Sequence, residues 1–395
     1  MSIRVAFIGN MNNSHFAMVR YLRDQGIDAD LLLTDREDEH FHPKADTFDL
    51  KYMTYTRYLS WGSSRRLLFT TADQIRNDLA PYQILIGSGL APAYCLKAGR
   101  ILDIFVPYGG DIWIETFYWR MISPQRIPSA WYSVYCQRRA IGKSKIVHMT
   151  KTNTLYEQQY HKYRGLSDRW YEGVPAVYAP EYKSDKMAEM VSRTHWGHEL
   201  LRIRSNADLM VVSHMRHVWS DESDPSAKGN DILLRGWKLF CTRNRGIKAK
   251  LILTEYGRDV AKSRSFVQQL QLEDSVVWFP QMYRKDIMVG LHLADIVCGE
   301  FVNSWIVSGV LYEALVAGKP ILAWRNDDLY LQDYPNLYPI LKAGDPESIA
   351  ARLEEYIQNP ELGRQMGRIG HQWYEEEVER KALDRYIAYI ERKAR

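Results

Sequence analysis

The stretch from Ala294 to Trp324 constrains the fold of this chain more than any other. A short apolar run at Ile296 to Cys298 leads into a polar loop, and apolar residues then recur with helical spacing from Val307 to Ala317. Gly318 predicts the end of that helix, and Ile321 to Trp324 predict a second buried strand. A strand, loop, helix and strand in this order form one crossover unit of a parallel sheet.

The same alternation of strand and helix runs through all 395 residues. A chain of this length is too long for one ordinary core, and residues 173–185, rich in Gly, Pro and Tyr, are typical of a linker. We therefore expect an α/β fold of two Rossmann-like domains facing across a cleft. The N-terminal domain is predicted over 1–175 and the C-terminal domain over 176–375, with a helix over 376–395 that returns to the first domain.

Composition excludes several classes of protein. No run approaches the roughly 20 apolar residues of a membrane-spanning helix, and the first residues lack the features of a signal peptide. A net charge of +4 is too small to indicate nucleic-acid binding, and the absence of G-x-G-x-x-G gives no support to a dinucleotide cofactor. A reduced, cytoplasmic protein is expected because four cysteines lie far apart without metal-ligand spacing: Cys95, Cys136, Cys241 and Cys298.

One basic and aromatic stretch, from Pro124 to Lys145, fits two kinds of surface. Basic side chains suit anionic headgroups and aromatic rings suit a membrane interface, so the stretch predicts either peripheral binding to an anionic membrane or an ordinary exposed helix. The residues concerned are Arg126, Arg138, Arg139, Lys143, Lys145, Trp131, Tyr132 and Tyr135.

Two loops in the first half follow predicted strands and are expected to line the cleft. The first, Gly9 to Asn13, precedes a helix that begins near Ser14. The second contains Gly109 and Gly110, which allow close backbone approach, and Asp111, which is either the N-cap of the next segment or an active-site carboxylate. The acidic stretch 35–42 is predicted to be a solvated loop.

Two cations lie near the first strand of the second half. Arg216 follows that strand, and Lys228 precedes the next helix. An arginine and a lysine beside a helix N-terminus suit a diphosphate, although each alone is also typical of an ordinary surface charge.

The second half resembles the donor-binding half of GT-B glycosyltransferases, in particular the retaining family 4. The first half resembles that family only in its alternation and in the Tyr108 to Asp111 loop. The matching motifs are Arg216, Lys228 with Gly229, the loop Glu255, Tyr256 and Gly257, Ala294 with Asp295, and Glu313, Ala314, Gly318 and Pro320.

The resemblance implies a role for each matching position. Glu313 is expected to bind the ribose of a nucleotide sugar, Arg216 and Lys228 its diphosphate, and the backbone from Phe279 to Met282 its base. The predicted catalytic residues are Arg216, Lys228, Glu300 and Asp111. The predicted donor-binding residues are Glu313, Asn303, Ser304, Trp305, Glu255, Phe279, Gln281 and Met282. The predicted acceptor-binding residues are Asn13, His15 and Gly110, with a helix-surface position as the alternative for His15.

One position departs from the family. Its paired glutamates lie eight positions apart, and counting back eight from Glu313 gives Trp305, which cannot accept hydrogen bonds as a carboxylate does. Glu300, or Asn303 and Ser304, are expected to take over the missing role.

The expected activity is transfer of a sugar from a UDP- or GDP-linked donor to a hydroxyl of a carbohydrate or lipid-linked acceptor. The resemblance implies retention without a metal or a separate cofactor, in assembly of a bacterial surface glycan at the inner face of the membrane. Two alternatives remain at this stage, a sugar-nucleotide epimerase of the same fold and a non-catalytic GT-B scaffold.

Overall fold

The computed structural model describes residues 3–35, 37–117, 127–149, 168–221 and 223–395. The chain divides into two compact units. The first unit contains Met1–Tyr178 and Glu376–Arg395, and the second unit contains Ala179–Glu375. Each holds a parallel sheet with helices, so the predicted α/β fold of Rossmann-like domains is confirmed.

The described part of the first unit contains seven strands. They are β1 (Arg4–Ile8), β2 (Asp28–Leu33), β3 (Thr56–Tyr58), β4 (Ile84–Gly87), β5 (Ile104–Phe105), β6 (Ile146–His148) and β7 (Asp168–Trp170). Its described α-helices are α1 (Ser14–Asp24), α2 (Ser64–Phe69), α3 (Ala72–Leu79), α4 (Ala91–Lys97), α5 (Gly110–Trp113) and α6 (Ile127–Ile141), and short 3-10 turns occupy Met11–Asn13, Glu39–Phe41, Pro43–Ala45 and Leu50–Thr54.

These strands form one sheet in the order β3-β2-β1-β4-β5-β6-β7, and every pair is parallel. Alternate residues of β1 point to opposite layers, because side chains alternate along a strand. Val5 and Phe7 enter the core on one side, and Ala6 and Ile8 enter the core on the other. The strand order reverses between β1 and β4, which places a switch point there.

The described part of the second unit contains six strands. They are β8 (Leu209–Ser213), β9 (Ala249–Glu255), β10 (Val276–Pro280), β11 (Ile296–Cys298), β12 (Ile321–Ala323) and β13 (Leu341–Lys342). Its described α-helices are α7 (Met187–Arg193), α8 (Gly197–Ser205), α9 (Asn230–Arg243), α10 (Val260–Gln269), α11 (Arg284–Leu293), α12 (Gly309–Val316), α13 (Pro346–Gln358) and α14 (Pro360–Trp373), and 3-10 turns occupy Ala179–Tyr182, Ser184–Lys186 and Asp327–Leu329.

The second sheet has the order β10-β9-β8-β11-β12-β13, again with parallel pairs. Its order reverses between β8 and β11. The predicted unit from Ala294 to Trp324 therefore supplies one of the two strands at the switch point, and its polar loop leaves the carboxyl end of β11.

The C-terminal segment differs from the single helix predicted over 376–395. Helix α14 ends at Trp373, Tyr374–Arg380 form a π-helical segment, and α15 covers Lys381–Ala394. Helix α15 packs in the first unit, where Tyr386 and Tyr389 are buried. The Tyr389 hydroxyl donates to Asp103 Oδ1 at 2.9 Å.

The structure bears on a membrane-spanning helix and on the basic and aromatic stretch from Pro124 to Lys145. Among the helices of the described residues, none combines the length and apolar character needed to cross a bilayer. Arg126 of the basic stretch lies outside the described residues, whereas its other members lie on α6 or directly after it.

Candidate functional site

The switch point of the second unit gathers polar side chains at the carboxyl edge of its sheet. Ser213 ends β8 and His214 follows it, while Glu300 comes after β11 with Gly299 between them. Helix α9 begins at Asn230 and Lys228 precedes it. Ligands of open parallel sheets bind at such a point, so this edge is the first candidate site.

Glu313, on α12, is buried and held by two basic side chains. Its Oε1 accepts from Arg284 Nε at 2.7 Å, and its Oε2 accepts from His214 Nε2 at 2.6 Å. Burial alone would raise the pKa of Glu313, but the Arg284 charge and the His214 hydrogen bond outweigh it and lower the pKa to about 2. Glu313 is therefore an ionised, rigidly held carboxylate.

Lys228 and Glu300 form a second ion pair at this edge. Lys228 Nζ lies 2.5 Å from Glu300 Oε1, and both side chains are largely buried. The backbones are joined as well, since Phe301 N donates to Lys228 O at 3.0 Å. Gly229, at the N-cap of α9, has φ +75°, and a Cβ there would lie 2.9 Å from Phe301 Cβ. Glycine at this position therefore permits the close approach that brings Lys228 beside Glu300.

Arg216 differs from Lys228 in having no described partner. It is exposed after β8, and it forms no hydrogen bond or ion pair with the residues that the structure describes. Its guanidinium is therefore available to an anion, whereas Lys228 already has Glu300 as an ion-pair partner.

Four buried polar atoms near this edge have no hydrogen-bond partner among the described residues. A buried polar group without a partner costs free energy unless a ligand or water satisfies it. The atoms are Ser213 Oγ, His214 Nδ1, Asn230 Nδ2 and Glu300 Oε2. Their convergence at the ends of β8 and β11 and at the start of α9 indicates a site that binds a polar ligand.

A narrow pocket adjoins Glu300. Asn303, Trp305 and Arg325 line it as well. Arg325 is buried, and its Nε donates to Asp327 Oδ1 at 2.6 Å. Trp305 thus lies beside Glu300 at the position where the family places a carboxylate.

The side chains of Asn303 and Ser304 hold the loop that carries them. Asn303 Nδ2 donates to the carbonyls of residues 225 and 227, both at 3.1 Å. Ser304 Oγ accepts from Asn326 N at 3.0 Å, and Ser304 O accepts from the Tyr330 hydroxyl at 2.7 Å. Donor binding by these two residues stays a prediction, since their hydrogen bonds serve the loop.

The other predicted donor-binding residues lie at or just after the carboxyl ends of β9 and β10. Glu255 ends β9 and pairs with Arg264, whose Nε lies 2.8 Å from its Oε1. Phe279 and Met282 are buried, and Gln281 is exposed. Only backbone atoms and Gln281 are therefore accessible for the predicted contact with a base.

The first unit has its own pocket at the switch point between β1 and β4. Gly110 lies on its wall, and Asn10, Glu37, Ser88 and Tyr108 line it as well. The described lining thus combines hydroxyl, amide and carboxylate groups at the carboxyl ends of β1 and β4.

Glu37 corrects the prediction that residues 35–42 form a solvated loop. Its Oε1 accepts from Asn10 N at 3.1 Å and from Thr34 Oγ1 at 3.0 Å, and its side chain lines the pocket. Burial raises the pKa of Glu37, although these hydrogen bonds act in the opposite direction. The prediction was wrong for Glu37 because an acidic run in sequence gives no sign of which carboxylate turns inward.

Asp111 is fully buried and organises the loop after β5. Its Oδ1 accepts from the backbone N–H groups of Tyr108 at 3.1 Å and Gly109 at 3.0 Å, and its Oδ2 accepts from Gly89 N at 3.0 Å. Burial raises the pKa of Asp111 to about 7 despite these bonds. The predicted N-cap role is wrong, because Gly109 is the N-cap of α5 and Asp111 lies inside that helix. The three backbone contacts instead position Gly89 and Tyr108 at the pocket, and an active-site role for Asp111 stays a prediction.

Asn13 and His15 are also buried, and neither is among the described residues that line the pocket. Asn13 Oδ1 accepts from Asn10 Nδ2 at 2.9 Å. His15 Nδ1 lies 2.7 Å from Gly9 O, and burial lowers the pKa of His15 to about 4. His15 is therefore a neutral side chain under the Gly9 loop, and the helix-surface alternative is wrong because the ring packs against Phe7.

Sequence reasoning missed four residues of these sites. His214 and Arg284 hold Glu313, Arg325 lines the pocket beside Trp305, and Glu37 lines the pocket of the first unit. Of these four, only His214 could have been found from the sequence, because it directly follows a predicted strand. Its contact with Glu313 could not, since the two residues are 99 positions apart.

Comparison with known proteins supports the fold. No protein-family model matches the sequence, and the search of curated proteins found no match either. Among solved structures, HepE of Anabaena in complex with UDP-glucose is 13% identical, with 98% of each chain covered and a TM-score of 0.63. Sucrose-phosphate synthase from Thermosynechococcus elongatus is 12% identical, with 99% of each chain covered and a TM-score of 0.60.

A putative UDP-N-acetylglucosamine 2-epimerase from Listeria monocytogenes is similar as well. It is 13% identical over 93% of this chain and 91% of that chain, with a TM-score of 0.57. At such identities the likeness establishes the fold alone. The GT-B fold expected from the sequence is confirmed, and membership of family 4 stays a prediction.

Proposed function

We propose that this protein transfers a sugar from a UDP-sugar to a hydroxyl group of a carbohydrate or lipid-linked acceptor. The observation that carries the proposal is the set of buried, unpartnered polar atoms at the switch point of the second unit, beside Arg216 and the N-terminus of α9. The structural neighbours that bind UDP and UDP-glucose support a uridine donor over a guanosine donor.

Each polar group at this edge suits one part of such a donor. The exposed guanidinium of Arg216 and the N-terminal N–H groups of α9 suit the diphosphate. Lys228 reaches the same place, with Glu300 as its counter-ion and as a hydrogen-bond acceptor through Oε2. Glu313 is preorganised by Arg284 and His214 to accept from ribose hydroxyls.

The chemistry follows from charge development. As the bond between the anomeric carbon and the phosphate oxygen breaks, the electron pair leaves with UDP, and the cations stabilise the new negative charge. The acceptor oxygen then bonds to the anomeric carbon, and its proton passes to the phosphate oxygen of the departing UDP. With Arg216 and Lys228 supplying this stabilisation, a metal ion is not required, and we propose retention by analogy with family 4.

The pocket of the first unit is our candidate for the acceptor. Its carboxylate, amide and hydroxyl groups suit the hydroxyls of a sugar, and Glu37, Asp38 and Glu115 are the carboxylates that line it. We assign the activity to surface-glycan assembly, as the resemblance to family 4 implies.

Titration calorimetry with UDP, GDP and UDP-glucose tests the donor site. Wild-type protein is expected to bind UDP and UDP-glucose more tightly than GDP, and Arg216→Ala is expected to weaken UDP binding by about 1.5–3 kcal/mol, because a charge-assisted contact is lost. Arg245→Ala is a matched control, since Arg245 is exposed after α9 at the opposite edge of the sheet.

Lys228 needs a paired variant because removing it alone leaves Glu300 buried without a counter-ion. The double variant Lys228→Met with Glu300→Gln removes both charges together and is expected to stay folded with loss of transfer. Wild-type affinity for UDP in Arg216→Ala, or full transfer in the double variant, would contradict this assignment of the donor site.

A sugar-nucleotide epimerase is the second candidate, favoured by the epimerase among the structural neighbours. An epimerase acts on the donor alone, whereas a transferase needs space for an acceptor, for which the pocket of the first unit is our candidate. Incubation with UDP-N-acetylglucosamine or UDP-glucose in the absence of acceptor distinguishes them. Formation of an epimer of either sugar would replace our proposal with the epimerase.

A further inference from the structure

Two neighbouring helices of the first unit expose large apolar side chains to solvent. On α2, Phe69 is 78% exposed and Leu68 is also exposed. On α6, Trp131 and Tyr135 are 63% and 57% exposed, and Ile127 is exposed one turn before Trp131. Exposed apolar side chains grouped in this way are typical of an interaction surface rather than of scattered surface residues.

These side chains lie on the outer side of a single helical layer. Residues 127, 131 and 135 recur every four positions and so share one face of α6. The inner faces of both helices enter one core, to which α2 contributes Leu67 and α6 contributes Cys136. Because α2 and α6 are neighbours over the same side of the sheet, their exposed faces point away from it together. We call this surface the α2–α6 face.

The charge of the α2–α6 face has one sign. Segments 63–71 and 127–145 contain no Asp or Glu, and they contain six basic residues. Two of these have acidic partners, since Arg66 pairs with Asp35 and Lys145 pairs with Asp103. The other four form no ion pair with the described residues and lie at the surface: Arg65, Arg138, Arg139 and Lys143.

We propose that the α2–α6 face binds the surface of an anionic phospholipid bilayer. Phe69, Trp131 and Tyr135 would enter the headgroup region, where amphipathic rings are favoured, and the arginines would contact the phosphates. A second copy of the chain fits this face less well, because a two-fold contact would bring like charges together. The combination of apolar rings with unpaired cations therefore selects the membrane.

Helix α6 also connects this face to the pocket of the first unit. On its buried side, Gln137 Nε2 donates to Gly89 O at 2.8 Å, and Gly89 lines that pocket. A protein held by the α2–α6 face therefore carries its pocket on elements fixed directly to the membrane-facing helix. This arrangement suits a lipid-linked acceptor, although the membrane contact itself does not depend on the proposed transfer activity.

Vesicle flotation tests the proposal with the full chain. Vesicles of phosphatidylcholine alone are compared with vesicles of equal parts phosphatidylcholine and phosphatidylglycerol. We expect binding to the anionic vesicles that decreases with added salt and is at least about tenfold weaker for Phe69→Ser with Trp131→Ser, and for Arg65→Glu with Arg139→Glu. Leu50→Ser is the matched control, since Leu50 is equally exposed in the same unit but lies outside this face.

Two further measurements make the outcome decisive. Urea unfolding curves should match wild-type protein in all three variants, which shows that they are folded, and unchanged UDP binding by calorimetry separates this test from that of the donor site. Failure of wild-type protein to bind anionic vesicles, or wild-type binding by both double variants, would overturn the proposal. Concentration-dependent self-association that the variants lose in sedimentation experiments would assign the face to a second copy instead.

Discussion

Asp111 and Glu313 are both buried carboxylates near the carboxyl edges of their sheets, yet their pKa values move in opposite directions. The pKa of Asp111 rises to about 7, whereas the pKa of Glu313 falls to about 2. Asp111 accepts only backbone N–H groups, from Gly89, Tyr108 and Gly109. Glu313 accepts from Arg284 and His214.

The difference in pKa follows from the hydrogen-bond donors that surround each carboxylate. Backbone dipoles hold Asp111 in place but do not neutralise its charge, so burial dominates its pKa. At Glu313 a full positive charge lies within hydrogen-bond distance and outweighs burial. Asp111 therefore holds backbone groups of its loop, whereas Glu313 is kept ionised at the edge that we propose as the donor site.

Removal of the Glu313 carboxylate is expected to have the largest effect on stability. Glu313→Ala leaves Arg284 buried without its counter-ion, which costs about 3–5 kcal/mol. Urea denaturation of the variant and of wild-type protein measures the change. The double variant Glu313→Ala with Arg284→Met is the control, and it should recover part of the loss; equal loss in both variants would show that the ion pair is not the cause.

Acid should remove the same contribution by protonating Glu313. Since its folded-state pKa of about 2 lies below the unfolded value, the stabilisation is present above about pH 4.5 and is lost as the pH falls toward 2. The pKa difference corresponds to about 3 kcal/mol. Unfolding free energies measured across this range should fall more steeply for wild-type protein than for Glu313→Gln, and parallel curves would contradict the lowered pKa.

Asp111 should show the opposite sign over a different range. Its folded-state pKa of about 7 lies above the unfolded value, so its charge destabilises the fold progressively from about pH 4 to 7. Asp111→Asn should abolish this slope while costing about 1–3 kcal/mol, because an amide nitrogen then faces backbone N–H groups. A variant that retains the wild-type slope would show that another group causes it.

Glu255 provides the exposed case, with the smallest effect. Its pair with Arg264 is solvent-accessible, so Glu255→Ala should change the unfolding free energy by less than about 1 kcal/mol. Calorimetry with UDP on the same variant then tests whether Glu255 contacts the donor. Unchanged affinity would remove Glu255 from the predicted donor-binding residues.

The features predicted correctly are those that depend on local sequence, such as glycines at helix ends and apolar runs in strands. Gly229 before α9 and Gly318 after α12 mark helix ends, and the uniformly apolar run of β11 was recognised by composition. Strands β3, β7 and β13 were not predicted, because their residues, TRY, DRW and LK, form no apolar run. In these cases sheet pairing, rather than local sequence, decides the structure.

Most contacts within the candidate sites could not be predicted from the sequence. Glu313 was identified from the sequence. Its contacts with His214 and Arg284 were not predicted, because only tertiary packing brings these three residues together. Asp111 was predicted to be either an N-cap or an active-site residue, whereas the structure places Gly109 at the N-cap and gives Asp111 three backbone N–H contacts. Glu37 was hidden in an acidic run, where composition predicts solvent exposure.

Helix α15 has a consequence for how the chain is made. The core of the first unit includes Tyr386, Tyr389 and Ile390, which are translated after every residue of the second unit. During synthesis the second unit can therefore complete its fold first, while the first unit exposes the apolar groove that α15 later fills. The first domain begun is thus the last one finished, and a ribosome that stops before Lys381 releases a protein whose second unit is complete and whose first is not.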